Sequence, residues 1–238
     1  MSRPFERGAQ SAVQKIVVLN PKGGSGKTTI ATNLASYYAV HRQHPTLMDF
    51  DAQGSSMRWV QTRAAGLPPV HGIPVYERLP NVTRSFQLRL PPQCRCVIVD
   101  TPAALDNHGL QDITRGADAI VVPVLPSDID IHAAARCIAD LLRVAKIRRS
   151  ENRIGVVANR VQRRRRTYQA LIRSLERLSI PMVASLRDSH NYLRASECGL
   201  GIHELDETRA RVDIDQWVPL TRWLEAHAAQ PMRTAAQA

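Results

Sequence analysis

The chain has 238 residues, 44% hydrophobic and 22% charged, enough to bury one medium-sized core without disulfides or metals. Cys94, Cys96, Cys137 and Cys198 follow neither a secreted disulfide framework nor paired C-x-x-C zinc spacing, which leaves buried reduced thiols, and no apolar run approaches the ~20 residues of a membrane helix. The net charge of +11 is confined: residues 143–194 carry 14 Lys/Arg against 3 Asp/Glu, residues 1–142 carry 14 against 11, and residues 195–238 carry 4 against 7.

A basic excess held in one stretch is the footprint of a polyanion partner, nucleic acid first among them, although a solvated arginine face is the plain alternative. The first 14 residues, MSRPFERGAQSAVQ, lack a hydrophobic signal core and are expected to be a flexible extension of a cytoplasmic chain. A first strand is predicted at 15–20 (KIVVLN), and the glycine-rich run Lys22-Gly23-Gly24-Ser25-Gly26-Lys27-Thr28-Thr29 follows it directly. Glycines let such a backbone turn sharply and point its N–H groups at a phosphate. Lys27 then reaches the β- and γ-phosphates, the Thr28 hydroxyl ligates Mg²⁺, and the helix that starts there adds its positive end. Lys22 is a second lysine where one loop needs only one.

Further strands are predicted at 45–50 (PTLMDF), 96–100 (CVIVD), 119–124 (AIVVPV) and 154–159 (IGVVAN), with a weaker one at 182–186. They are Val/Ile-rich without polar alternation, as strands buried on both faces are. Helical periodicity lies between them, and the clearest stretch, 128–147, opens on Ser127 with Asp130 three residues on, a capping-box pattern. The Pro-rich piece 66–92 reads as loops and one short helix. The pattern as a whole is α/β: a doubly wound, mainly parallel sheet with helices on both faces, one domain over 15–228, and a frayed tail at 229–238.

Two acidic sites fall at strand ends. Asp100 closes CVIVD, where an acid holds Mg²⁺ through water; Asp49 and Asp51 flank the end of the strand in MDFDAQGSS. Each of these could instead cap the following helix. Asp51 is assigned to orienting the attacking water at the metal.

After Asn159 comes RVQRRRRTYQALIRSLERLSIP. Taken as a helix over 164–178, it sets Arg166, Arg173 and Arg177 within ~20° of one line. Tyr168, Leu171, Ile172, Leu175 and Leu178 fall on the opposite side. Arg163, Arg164 and Arg165 extend the ridge at the end where a helix dipole disfavours cations, a local cost that hints at function. The last helix, 214–228, carries Trp217, Leu220, Trp223 and Leu224 on one side, and core packing is expected of it rather than a lipid anchor.

The segments KGGSGKTT, MDFDAQGSS, CVIVDTPA and ADAIVVPVLPSDIDIHA occur in the order and spacing of the ParA/MinD family of deviant Walker-A ATPases, and SLRDSHNYLRASECGLGIHEL resembles the C-terminal pattern of small ParA proteins. The resemblance covers about residues 15–205 and implies a P-loop NTPase fold with ATP and Mg²⁺ as ligands. It makes Lys22 the signature lysine that crosses a nucleotide-sandwiched dimer to the partner's phosphates, Asp51 the water-activating acid and Asp100 the anchor of the metal shell. Asn159 takes the position that reads the adenine edge, with Arg160 beside it, and Arg187 and Arg194 take positions of sequence-independent DNA contacts. The family reading is an ATP-dependent homodimer on nonspecific double-stranded DNA at the nucleoid. Such a dimer positions a plasmid, chromosome region or protein organelle with a ParB-like or adaptor protein that stimulates slow hydrolysis. A MinD-like membrane ATPase is the alternative. A redox or metabolic relative fits less well, because Cys94 and Cys96 precede the Asp100 strand rather than follow it.

Overall fold

The computed structural model describes residues 13–228 except 79, 81 and 163. The expectations for residues 1–12, for the tail 229–238 and for Arg163 therefore lie outside the described residues. Seven strands form one sheet: β1 Gln14–Val18, β2 Thr46–Asp49, β3 His71–Pro74, β4 Cys96–Asp100, β5 Ala119–Val124, β6 Ile154–Val161 and β7 Met182–Arg187. Their spatial order is β3-β2-β4-β1-β5-β6-β7 and every pairing is parallel. Consecutive parallel strands need a crossover, and helices supply it on both faces. These are α1 Lys27–Val40, α2 Ser55–Thr62, α3 Arg84–Gln87, α4 Asn107–Thr114, α5 Asp128–Arg143, α6 Arg166–Leu178, α7 His190–Glu197, α8 Glu207–Asp215 and α9 Val218–Ala228.

The alternation of side chains along each strand divides the core in two. Val17, Val97, Val99, Ile120 and Val122 face one layer with Leu110 of α4, Ile138 and Leu141 of α5, and Leu171 and Leu175 of α6. Ile16, Val18, Leu47, Ile98 and Val121 face the other layer, with Ile30 and Leu34 of α1, Trp59 of α2, and Leu220 and Leu224 of α9. That is why the strands read as unbroken apolar runs.

Several boundaries differ from the sequence reading for local reasons. Gln14 belongs to the domain rather than to the extension: its buried amide donates to the Leu224 carbonyl at 2.7 Å and accepts from the Tyr38 hydroxyl at 3.1 Å. The 66–92 piece contains the short helix, α3, but also the edge strand β3, whose sequence HGIP lacks any apolar run. Helix α5 stops at Arg143 rather than 147, because the chain turns back through a left-handed Lys146 (φ 55°) to bury Ile147, whose N–H donates to the Leu141 carbonyl at 3.1 Å. The expected helix 214–228 is two, broken where Trp217 is wholly buried and Pro219 sits in the first turn of α9. Trp217, Leu220 and Leu224 are core residues, as expected, so the apolar side of α9 is occupied within the domain.

Register places the site. Asp49 pairs with Asp100 across β2 and β4, and Val18 pairs with Asp100 across β1 and β4. Both carboxylates thus reach the carboxyl edge of the sheet beside the loop that leaves β1. There the strand order reverses between β4 and β5 on either side of β1, which opens a crevice.

Candidate active site and basic face

The loop between β1 and α1 is tied down at its root. The buried Asn20 amide donates to the Pro123 carbonyl at 2.7 Å and accepts from the Lys22 N–H at 2.8 Å. Gly24 (φ 76°) and Gly26 (φ 97°) carry the left-handed turns that the glycine spacing requires. Gly26 caps α1 without a side-chain acceptor, and no acid lies in the first helical turn. The first N–H groups of α1 and its positive end are therefore presented toward the crevice, the arrangement that binds phosphate. Gly26 also packs against Asn159, and a Cβ on it would meet the Asn159 Nδ2 at 2.1 Å. Gly26→Ala is expected to destroy nucleotide binding and to lower the melting temperature by several degrees; fluorescence titration with a labelled nucleotide and a thermal melt check both.

Lys27 is buried, and its ammonium arches back over the loop to donate to the Lys22 carbonyl at 3.3 Å. Burial lowers its pKa, while the nearby Asp100 and Asp51 carboxylates oppose that shift. Thr28 Oγ1 donates to Asp100 Oδ2 at 2.8 Å. Desolvation raises the Asp100 carboxyl to about 6 despite the Ser56 and Thr28 hydroxyls, which favour its charge. Its Oδ1 is buried with no hydrogen-bond partner among the described residues. A carboxylate with a bare oxygen beside a threonine hydroxyl is a hard, oxygen-only donor pair that fits Mg²⁺. Among the described residues no group of three or more His, Cys, Asp or Glu could hold a metal.

The two acids after β2 have separate roles. Asp49 is wholly buried: its Oδ1 accepts from the Asp51 N–H at 3.0 Å, and its Oδ2 from the Ser56 and Met57 N–H groups at 3.1 and 3.3 Å. It is the remote cap of α2, whose own N-cap, Gly54, offers no side chain. Asp51 is half-buried at the crevice; among the described residues its carboxylate accepts from the Gln53 N–H at 3.0 Å, through Oδ1, and its other oxygen faces ligand or water.

Lys22 is turned away from its own loop. Its ammonium lies 2.8 Å from Asp130 Oδ2 in the first turn of α5, with about a third of the side chain exposed. Asp130 also takes part in the cap at Ser127: the Ser127 hydroxyl accepts from the Asp130 N–H at 3.2 Å and donates to its carboxylate. The sequence signals the cap but not the lysine. The Lys22 ammonium is thus engaged outside the loop, at α5, while the Lys27 ammonium returns to a carbonyl of the loop itself.

On the far side of the loop, Asn159 Nδ2 donates to the Ser25 carbonyl at 2.9 Å and Asn159 Oδ1 accepts from the Arg160 N–H at 3.0 Å. The amide therefore braces the phosphate loop against β6, with one N–H and one lone pair to spare. Beside it opens a cleft of about 360 Å³ lined by Thr29, Asn159, Arg160, Ser189, Tyr192 and Leu193 among others, a size that suits a nucleoside. Thr29 joins the phosphate loop to this cleft.

Helix α6 presents the arginine ridge as the periodicity requires. Tyr168, Leu171 and Leu175 are buried, and Arg166, Arg173 and Arg177 are exposed. The helix starts at Arg166 rather than 164, so the exposed Arg164 and Arg165 lie in the turn before it. Arg194 on α7 is exposed. Arg187, read from the resemblance as a position of DNA contact, is engaged within the chain. Its Nε and one terminal nitrogen donate to the two oxygens of Asp213 at 2.5 and 3.0 Å. Asp213 is wholly buried and also accepts from Ser189 and Asn191 at 3.0 and 2.7 Å. Arg187 is the exposed end of a pin between β7 and α8; the sequence carries no signal for Asp213 as its partner.

The chain belongs to the CobQ/CobB/MinD/ParA nucleotide binding domain family, whose family model matches residues 16–202. It is 29% identical over 194 residues to the maintenance of carboxysome distribution protein A of Halothiobacillus neapolitanus, a match over 80% of this chain and 87% of that protein. A protein of the same description from Gloeobacter kilaueensis is 38% identical over 126 residues, covering 52% of this chain and 55% of the other. Among solved structures, a putative plasmid partition protein of Borrelia burgdorferi bound to AMPPNP superposes with a TM-score of 0.64 at 15% identity, over 89% of this chain and 99% of that one. At that identity the likeness speaks for the fold. No helix among the described residues is long and apolar enough to cross a membrane.

Proposed function

We propose that this protein is a ParA-type ATPase that closes into a dimer around two Mg·ATP molecules. In that state it binds duplex DNA without regard to sequence and so positions a large cellular cargo on the nucleoid. The observation that carries the reading is the division of labour between the two lysines. Lys27 is folded into its own loop, while Lys22 stands on the rim at Asp130, a carboxylate it can exchange for phosphate oxygens on a partner subunit. Two triphosphates brought face to face concentrate negative charge, and a cation from each neighbour offsets it.

In this reading Gly23, Gly24, Ser25, Gly26, Thr28 and Thr29 cradle the phosphates with their N–H groups and hydroxyls. Thr28 and Asp100 hold Mg²⁺, which supplies charge neutralisation at the phosphates. Asn159 and Arg160 border the base, and the second oxygen of Asp51 orients the attacking water. A dimer also joins two arginine surfaces into one, which raises avidity for a polyanion without new contacts per subunit. The names of the relatives point to a cargo such as a protein organelle or a plasmid, released from DNA when a ParB-like or adaptor protein on that cargo stimulates hydrolysis.

The experiment is a turnover assay paired with a trapping variant. Asp51→Ala is expected to bind Mg·ATP with wild-type affinity within about threefold and to lose at least 10-fold in phosphate release. It should then accumulate the ATP-loaded dimer. Undiminished phosphate release would remove Asp51 from the reaction.

A further inference from the structure

The motif around Asp51 contains two adjacent serines, and the structure separates them. Ser55 is partly exposed and accepts from an Arg58 guanidinium N–H at 2.9 Å. Ser56 is wholly buried, and its hydroxyl donates to Asp100 Oδ2 at 2.6 Å. Thr28 Oγ1 donates to the same oxygen at 2.8 Å, whereas Oδ1 has no partner among the described residues. Two hydroxyls on one oxygen fix the rotation of the carboxylate about its bond to Cβ. They also leave the lone pairs of the other oxygen unshared.

We infer that Ser56 is a positioning residue for the metal: its hydroxyl orients Asp100 and keeps Oδ1 free for the Mg²⁺ shell. The inference rests on the nucleotide-binding reading above. Thr28 can donate to Oδ2 and still offer a lone pair to the metal, but a single hydroxyl leaves the carboxylate free to pivot, and Ser56 supplies the second anchor. Ser56 has no other duty, being held from its own N–H by Asp49 Oδ2 at 3.1 Å. The same two buried acids, Asp49 and Asp100, therefore brace the loop that carries Asp51 from both ends. Outer-shell hydrogen bonds of this kind contribute about 10- to 100-fold in metal affinity.

The test uses the full chain and a fluorescent N-methylanthraniloyl-ATP, titrated once in excess EDTA and once against Mg²⁺ at fixed nucleotide. Ser56→Ala and the near-isosteric Ser56→Cys, a much weaker donor, are expected to keep the EDTA affinity within about twofold. Both should raise the Mg²⁺ concentration at half-effect by about 10-fold or more. Ser56→Thr, which keeps the hydroxyl, is expected to restore it to within about threefold. A Mg²⁺ half-point that does not move in Ser56→Cys overturns the inference, and so does an equal loss of affinity in EDTA, which marks a purely structural serine. Wild-type protein that binds the labelled nucleotide with Mg²⁺ while Ser56→Ala behaves identically overturns this inference alone. Wild-type protein that binds no labelled nucleotide overturns the nucleotide reading and this inference together.

Discussion

Replacing Lys22 with alanine is expected to leave the single chain able to bind nucleotide while abolishing its nucleotide-dependent dimer. The cradle is unaffected, because Lys27, the α1 N–H groups and the Thr28–Asp100 pair do not involve the Lys22 ammonium. The dimer loses one cation per buried triphosphate. Two unit charges about 4 Å apart at an effective dielectric near 20 interact by about 4 kcal/mol, which is about a thousandfold in dissociation constant for each of the two contacts. The variant carries a second, smaller effect. Asp130 loses its ion-pair partner while its side chain is only 4% exposed, which costs about 1–3 kcal/mol of monomer stability. Light scattering with Mg²⁺ and a non-hydrolysable ATP analogue reads the dimer, and a thermal melt reads the stability. Dimers that persist would show that Lys22 does not act across an interface.

The second large effect concerns the arginine face. Arg165, Arg166, Arg173 and Arg177 are exposed, and α6 holds the last three in one line with its apolar side buried. Changing all four to alanine is expected to lower the slope of log affinity against log salt by about 3 to 4 per subunit on any duplex, since each phosphate contact contributes about 0.9. Nucleotide affinity should not change, because the ridge lies outside the cradle. Arg187→Ala is the informative control. Its guanidinium is committed to buried Asp213, so the variant should lose stability by about 1–3 kcal/mol while the salt slope stays put. A loss confined to one DNA sequence, or a slope that ignores the four arginines, would remove α6 from the interface. Titrations at several salt concentrations on two unrelated duplexes decide it.

The contrast between Arg166 and Arg187 shows what a sequence reveals and what it hides. Arg166, Arg173 and Arg177 are legible because a helix repeats every 3.6 residues, and the buried Tyr168, Leu171 and Leu175 mark the other side. Arg187 looks equally free, but its partner lies 26 residues on, on another element, and nothing local encodes the pair. Lys22 and Asp130 are further apart still, and Ser127 alone already explains the acid as part of a cap. The strands β1, β4, β5 and β6 could be read from their Val/Ile runs because both faces are covered, whereas β2 (TLMD) and the edge strand β7 (MVASLR) gave weaker apolar signals. The edge strand β3 was not legible, since HGIP has a glycine, a proline and one buried isoleucine. The phosphate loop was plain because its glycines answer to backbone torsion, a property of the residue type itself. Ser56 was hidden because a serine in a loop has many ordinary uses, and only the fold brings it to Asp100.

In the proposed cycle nucleotide decides both assembly and DNA binding. The most direct measurement is analytical ultracentrifugation of the full chain with a labelled duplex of arbitrary sequence. It is run without nucleotide, with Mg·ADP, and with Mg²⁺ and a non-hydrolysable ATP analogue. A dimer that co-sediments with the duplex only in the last condition is the predicted result. A monomer in that condition, or equal binding to the duplex without nucleotide, would contradict it.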